Sequence, residues 1–206
     1  MSILLLIFIR NPRLGKVKTR LAHTVGDAEA LRIYHILLEK TRQAALSVAA
    51  ERWLFYSDFL EPEDDWSVDH FQKRVQAGHD LGERMENAFR QAFVAGAGKA
   101  VIIGSDCPDL NGALLREAFD RLDEADFVLG PAQDGGYYLL GMKQLEVSLF
   151  RNMEWSTPGV CAETTRRIKV PGKSYFLLPE LTDVDTEEDW RRHADVTPSV
   201  RRRTKT

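Results

Sequence analysis

"AVIIGSDCPDL", residues Ala100 to Leu110, sets an apolar run against a glycine, two carboxylates and a proline. Ala100 to Ile103 has the continuous apolar character of a strand buried on both faces of a sheet. Asp106 and Asp109 follow directly, at the mouth of that strand. In open α/β sheets ligands bind outside the carboxyl ends of the strands, so a loaded strand end points to a site.

The same alternation of short apolar runs and longer helical patterns extends in both directions. Ser2 to Ile9 is near-continuously apolar. Leu31, Tyr34, Leu37, Leu38 and Thr41 then recur at helical spacing, and Asp27 is placed to cap that helix. Arg52 to Tyr56 and Phe71 to Gln76 read as strands, and "GERMENAFRQAFVAGAG" as a helix with a glycine-rich exit. Beyond the opening stretch come a helix that Asn111 can cap, a strand at Asp126 to Gly130, and "GGYYLLGM" as a strand after a glycine turn. Tyr175 to Leu178 is the last strand. The order predicts one α/β domain: a mostly parallel, mixed sheet between two helical layers, spanning residues 1–195, with a basic tail at 196–206.

Composition narrows the function. The chain has 206 residues, 44% apolar and 29% charged, with a formal net charge of −3. That balance gives no reason to expect nucleic acid or an anionic membrane as partner. "MSILLLIFIR" is short and lacks a cationic leader, so it reads as a core strand and not as a signal or membrane span. Two cysteines are too few for a disulfide framework. A cytoplasmic protein is expected.

The remaining strand ends carry the chemistry. After the first strand, "NPRLGKVKTRLA" places Lys16, Lys18 and Arg20 at alternate positions. An extended segment would aim all three one way, as a phosphate or diphosphate requires, and Gly15 permits a turn before them. No GxGxxG or GxxxxGK[ST] loop is present, which argues against a Rossmann dinucleotide site or a P-loop. In "QAGHDLGERM", Gln76 could read a base edge, while Gly78 and Gly82 would admit a flat ligand; a simple strand-to-helix turn with Asp80 as cap is the structural alternative.

At the opening stretch, Asp106 suits a divalent cation and Pro108 stiffens its loop. Asp109 serves as well in capping the next helix. Cys107, flanked by carboxylates, is a poor thiolate. Asp134, Gly135 and Gly136 form an Asp-Gly turn on which Asp134 either closes a hairpin or meets substrate. Tyr137 and Tyr138 must face opposite sides. In "LTDVDTEEDW", Asp183 and Asp185 alternate and so share a side, and Thr186 with Asp189 resembles a capping box.

Together "NPRLGKVKTRLA", "QAGHDLGERM", "GSDCPDL", "GPAQDGGYYLLG", "WSTPGV" and "LTDVDTEEDW" resemble the DUF2064 group. These are often called arsenosugar-biosynthesis-type glycosyltransferases, in the nucleotide-diphospho-sugar transferase superfamily with its GT-A fold. The resemblance implies a nucleotide or nucleotide-sugar substrate at the carboxyl edge. Lys16, Lys18, Arg20 and Arg84 would hold its phosphates, and Gln76, Gly78 and Gly82 would lie near its base. It implies a divalent cation, magnesium or manganese, on Asp106, Asp183 and Asp185. Asp134 would face the transferred group, and Gly135, Gly136, Tyr137 and Trp155 a small-molecule acceptor, with Trp155 just ahead of a helix that Pro158 begins. The implied reaction is glycosyl transfer. Nucleotidyl transfer to a phosphorylated small molecule, and non-catalytic nucleotide binding, are the alternatives. Asp106-Cys107-Pro108-Asp109 departs from a strict Asp-x-Asp motif.

Overall fold

The computed structural model describes residues 2–196. Its elements in chain order are β1 (Ser2–Ile9), α1 (Thr19–Val25), α2 (Asp27–Leu46), β2 (Glu51–Tyr56), β3 (Gln72–Val75), α3 (Leu81–Val94), β4 (Ala97–Ile103), α4 (Gly112–Glu124), β5 (Phe127–Pro131), β6 (Tyr137–Met142), α5 (Val160–Lys169), β7 (Tyr175–Leu177) and α6 (Glu187–Val196). A 3₁₀ turn, Val147–Leu149, precedes α5.

The strands form one sheet in the order β3-β2-β1-β4-β6-β5-β7. Among the described residues only β6 runs against its neighbours. β1 sits centrally, paired in parallel with β2 and β4. Its period-two alternation therefore feeds two cores. Leu5, Ile7 and Ile9 pack with Leu21, Ile33, Leu37, Leu115 and Phe119 from α1, α2 and α4. Leu4 and Leu6 pack with Met85 and Phe89 of α3 and Ile168 of α5 on the opposite face. Each such side chain stabilises the fold by about 1.5–3 kcal/mol on burial, which is why the apolar run at the N-terminus is a central strand.

Several local expectations change. Gly96, at φ 90°, makes the glycine exit of α3, but β4 begins at Ala97, three residues ahead of the apolar run at Ala100, and pairs Ala97 with Ser2 across a register shift. Asp27 is not the cap of α2; Gly26, at φ 83°, holds that place and Asp27 is the first helical residue. Its carboxylate acts on the helix dipole there. Helix α5 starts at Val160, two residues past Pro158. The last helix includes Val196, read above as the first residue of the tail, and residues 197–206 lie outside those described. Among the described residues no helix is long and apolar enough to cross a membrane.

Candidate active site

Topology brings the loaded segments to one edge. β1, β2, β3 and β4 are parallel, so the segments after Ile9, Tyr56, Val75 and Ile103 emerge together. Because β6 is antiparallel, the turn that precedes Tyr137 lies on this edge as well. The segment after β7 then crosses the edge sideways. Leu181 bridges to Ala132 and its backbone bonds to Pro131 and Gln133. Three residues later Val184 N–H donates to the carbonyl of Asp106 (3.0 Å). Val184 is buried in the core; beside it Asp185 is 42% exposed at the edge, while Asp183 is largely enclosed next to the same carboxylates.

The carboxylates converge on one ammonium. Lys18 Nζ lies 2.7 Å from Asp106 Oδ1 and 3.4 Å from Asp185 Oδ1, and its side chain is 5% exposed. Those two oxygens are therefore at most about 6 Å apart. Arg20 reaches Asp185 at 3.6 Å. Asp183 feels the charges of Asp106, Asp134 and Asp185; burial first, then Asp106, pushes its carboxyl up to about 7, against the opposing pull of Lys18. Asp134 thus belongs to the same electrostatic cluster while also closing its turn, accepting from Gly136 N–H at 2.8 Å. Cys107 lies beneath, its thiol pushed up to about 12 by burial and by Asp183.

Hard oxygen donors in this number suit magnesium or manganese, which take one or two carboxylates and complete their shell with substrate phosphates. Among the described residues no three His, Cys, Asp or Glu side chains converge closely enough to hold a metal unaided. Asp106 and Asp185, already sharing one cationic partner, are the pair that fits such a two-carboxylate site, with Asp183 beside them.

Lys16, Lys18 and Arg20 do not extend along one line. Gly15 makes the turn at φ 70°, Lys18 itself is left-handed at φ 49°, and Arg20 is already on α1. Helix formation by "TRLAHTV", anchored by buried Leu21, overrides the extended course. Lys18 points inward while Lys16 and Arg20 are exposed.

Gln76 sits at the edge, yet its amide donates to Ile9 and Phe55 carbonyls (both 3.1 Å) and accepts from Arg84 (3.3 Å). It braces the ends of β1 and β2, and Arg84, also bonded to Gly78 O, braces the turn. Gly78 takes φ 143°, and a Cβ there would meet Glu83 Cβ at 2.7 Å. Gly82 makes room for protein: a Cβ would strike Trp155 Nε1 at 2.5 Å and Phe150 O at 2.6 Å. Trp155 accordingly lies against α3, and its Nε1 is buried without a partner among the described residues. Gly135, at φ 88°, admits the Pro158 carbonyl to within 2.0 Å of a would-be Cβ, and Cys161 N–H donates to its carbonyl. Tyr137 is enclosed, its hydroxyl on Met85 Sδ, and Tyr138 faces the other core.

Asp80 caps α3 through Glu83 N–H, and Asn111 caps α4 through Ala113 and Leu114 N–H. Thr186 and Asp189 form the reciprocal capping box, which ends the segment carrying Asp183 and Asp185. Asp109, by contrast, faces α6, 3.3 Å from His193 Nδ1, while Lys40 Nζ lies 2.7 Å from the other ring nitrogen.

Two positioning residues escaped the sequence reading. Tyr34 Oη, buried, accepts from Arg10 N–H (2.9 Å) and meets Ser105 Oγ (3.2 Å), tying the exits of β1 and β4 together beside Asp106. Asn11, also buried, gathers the loop after β2 through Asp58 N–H, Phe59 N–H and Phe59 O. Tyr34 has the spacing of any core residue; nothing in its sequence context marks the hydroxyl.

Comparison with known proteins agrees with the fold. No curated protein matches the sequence. A solved chain from Desulfovibrio desulfuricans G20, provisionally named a nucleotide-diphospho-sugar transferase, shares 31% identity and a TM-score of 0.87, over 98% of this chain and 91% of that one. Two further structures share the fold at lower identity. Rv0371c of Mycobacterium tuberculosis H37Rv, solved with manganese, has 15% identity and a TM-score of 0.59, covering 96% and 100% of the two chains. The inositol-1-phosphate CTP transferase of T. maritima has 13% identity and a TM-score of 0.60, covering 91% of each. The chain has the α/β fold of the nucleotide-diphospho-sugar transferase superfamily. Residues 40–157 match the profile described as an uncharacterized protein conserved in bacteria, and this chain belongs to that family, DUF2064.

Proposed function

We propose that the protein is a divalent-cation-dependent transferase that moves a sugar from a nucleoside-diphosphate sugar to a hydroxyl of a small-molecule acceptor. The observation that carries this reading is the gathering of Asp106, Asp185, Asp183 and Asp134 at the carboxyl edge, with Lys18 among them. So many carboxylates in a half-buried place repel one another, and a cation with a bound diphosphate relieves that repulsion. The name of the Desulfovibrio relative and the manganese of Rv0371c support it further.

Asp106 and Asp185, with Asp183, would hold the cation, which supplies charge neutralisation on the leaving diphosphate. Exposed Lys16 and Arg20 line the same edge and suit the outer phosphates. The acceptor oxygen bonds to the anomeric carbon as the bond from that carbon to the diphosphate oxygen breaks, its electron pair leaving with the nucleoside diphosphate. The hydroxyl proton passes to Asp134, the exposed carboxylate of the cluster.

Nucleotidyl transfer is the second reading. Arg10 and Arg13 are exposed in the same segment of chain as Lys16 and Arg20, and so many cations close in sequence suit a triphosphate. Thermal unfolding with UTP, GTP, UDP-glucose and GDP-mannose, with and without Mg²⁺ or Mn²⁺, separates the two. A ligand at 100 times its dissociation constant adds about 2.7 kcal/mol. Cation-dependent stabilisation by a sugar nucleotide, absent in Asp106→Ala, is the expected result; a preference for a triphosphate favours nucleotidyl transfer. No response from a folded protein refutes both.

A further inference from the structure

Resting on the cation site just proposed, we infer that Lys18 is a resident counter-ion. Its ammonium holds the cation position between Asp106 and Asp185 until a divalent ion displaces it, and is then released to the phosphates of the incoming nucleotide.

Three observations place it there. The ammonium lies within 3.4 Å of both Asp106 and Asp185, and the side chain is almost wholly enclosed although it carries charge. The backbone that aims it is left-handed, at φ 49° and ψ 44°, a conformation that is strained for a residue with a Cβ. The conformation is held from both sides: Val17 and Leu21 are buried, and the Lys18 carbonyl accepts from Ala22 N–H as α1 begins. A strained residue held this firmly directs one side chain to one place. The third is chemical. Lysine presents a point charge on a flexible four-carbon stem, so it can leave two carboxylates for a phosphate by rotating its own bonds while the backbone stays fixed.

The consequence is an ordering of events. In the nucleotide-free protein Lys18 offsets the repulsion among Asp106, Asp183 and Asp185, and so competes with any metal for the same oxygens. A divalent ion brings twice the charge to those oxygens, and its arrival frees a cation at the edge where a diphosphate would lie. Cation and phosphate binding are then coupled through one side chain.

Manganese binding to the nucleotide-free protein tests this directly, read from the electron paramagnetic resonance signal of free Mn²⁺ at pH 8. Wild type, Lys18→Met and Lys18→Asn are compared; asparagine tolerates the left-handed backbone, so a folded neutral variant is available, and melting curves check both. Removing the competing charge is expected to tighten Mn²⁺ binding roughly fivefold or more. Asp106→Asn added to either variant should abolish that gain. If the Lys18 variants bind Mn²⁺ no tighter than wild type while wild-type binding still depends on Asp106, the counter-ion role is overturned and the cation site stands. If none of the proteins binds Mn²⁺, alone or with inorganic pyrophosphate, the cation site falls and this role with it.

Discussion

Replacing Asp183 by asparagine should stabilise the metal-free protein above neutral pH while weakening its response to metal. Burial and the charges of Asp106, Asp134 and Asp185 raise the Asp183 carboxyl from 3.8 to about 7 in the folded state. Between those limits the native state binds a proton that the unfolded chain has released. Stability therefore falls as pH rises through this window, and the full loss is present above about 7. At 1.36 kcal/mol per unit the penalty is of order 4 kcal/mol. In Asp183→Asn the side chain has nothing to ionise, so its stability profile should lack that descent. The assay is urea or thermal unfolding from pH 4.5 to 8.5 in EDTA. For a chain of this size each kcal/mol moves the midpoint by about 2–4 °C, so the two profiles should diverge by roughly 10 °C at pH 8. Adding Mn²⁺ at pH 8 should raise wild type more than the variant, which keeps Asp106 and Asp185 but has lost the third carboxylate. Parallel profiles across the whole range would falsify the crowded-carboxylate picture on which the proposed site depends.

Other consequences are quicker to check. Asp134→Ala should lower kcat by about 10²-fold or more in whichever transfer assay responds, with KM little changed, as expected for loss of a general base; an unchanged kcat removes Asp134 from the chemistry. Gly82→Ala would drive a methyl into Trp155 and the Phe150 carbonyl, and should cost about 1–3 kcal/mol in urea unfolding; full stability would mean that Trp155 does not seat there. Tyr34→Phe keeps the ring but loses the link between Arg10 and Ser105, and should cost about 1 kcal/mol together with weaker Mn²⁺ binding. Cys107, with its thiol near 12, should resist alkylation at pH 8 in the folded protein, and rapid modification there would contradict its burial.

The α/β architecture was legible because its signals are local. Ile3 to Ile9 is apolar on both faces, as a central strand between two helical layers requires. Asn111, Asp80 and the Thr186–Asp189 pair announced helix starts through side chains that reach only two or three residues. The acidic edge was legible through topology: once the sheet is mostly parallel, residues that follow strands must meet. The basic loop failed for the same reason that the rest succeeded. Alternation at Lys16, Lys18 and Arg20 has the period of a strand, but burial of Val17 and Leu21 favours a left-handed turn into a helix, and that decision belongs to packing.

What the residues determined alone was therefore the class of fold, the caps and the kinds of chemical group delivered to one edge. Tertiary structure decided which of those groups touch. The crossing of residues 181–185 over the edge brings Asp185 to Lys18, 167 positions away in sequence, and sets Asp183 among three other carboxylates. It also turned Gly82, Gln76 and Trp155 toward packing, since their partners at Phe150, Ile9 and α3 are distant in the chain. Charge and hydrogen-bonding capacity are written into each residue, whereas the distance that makes them an ion pair, a raised pKa or a steric requirement exists only after the chain has closed on itself.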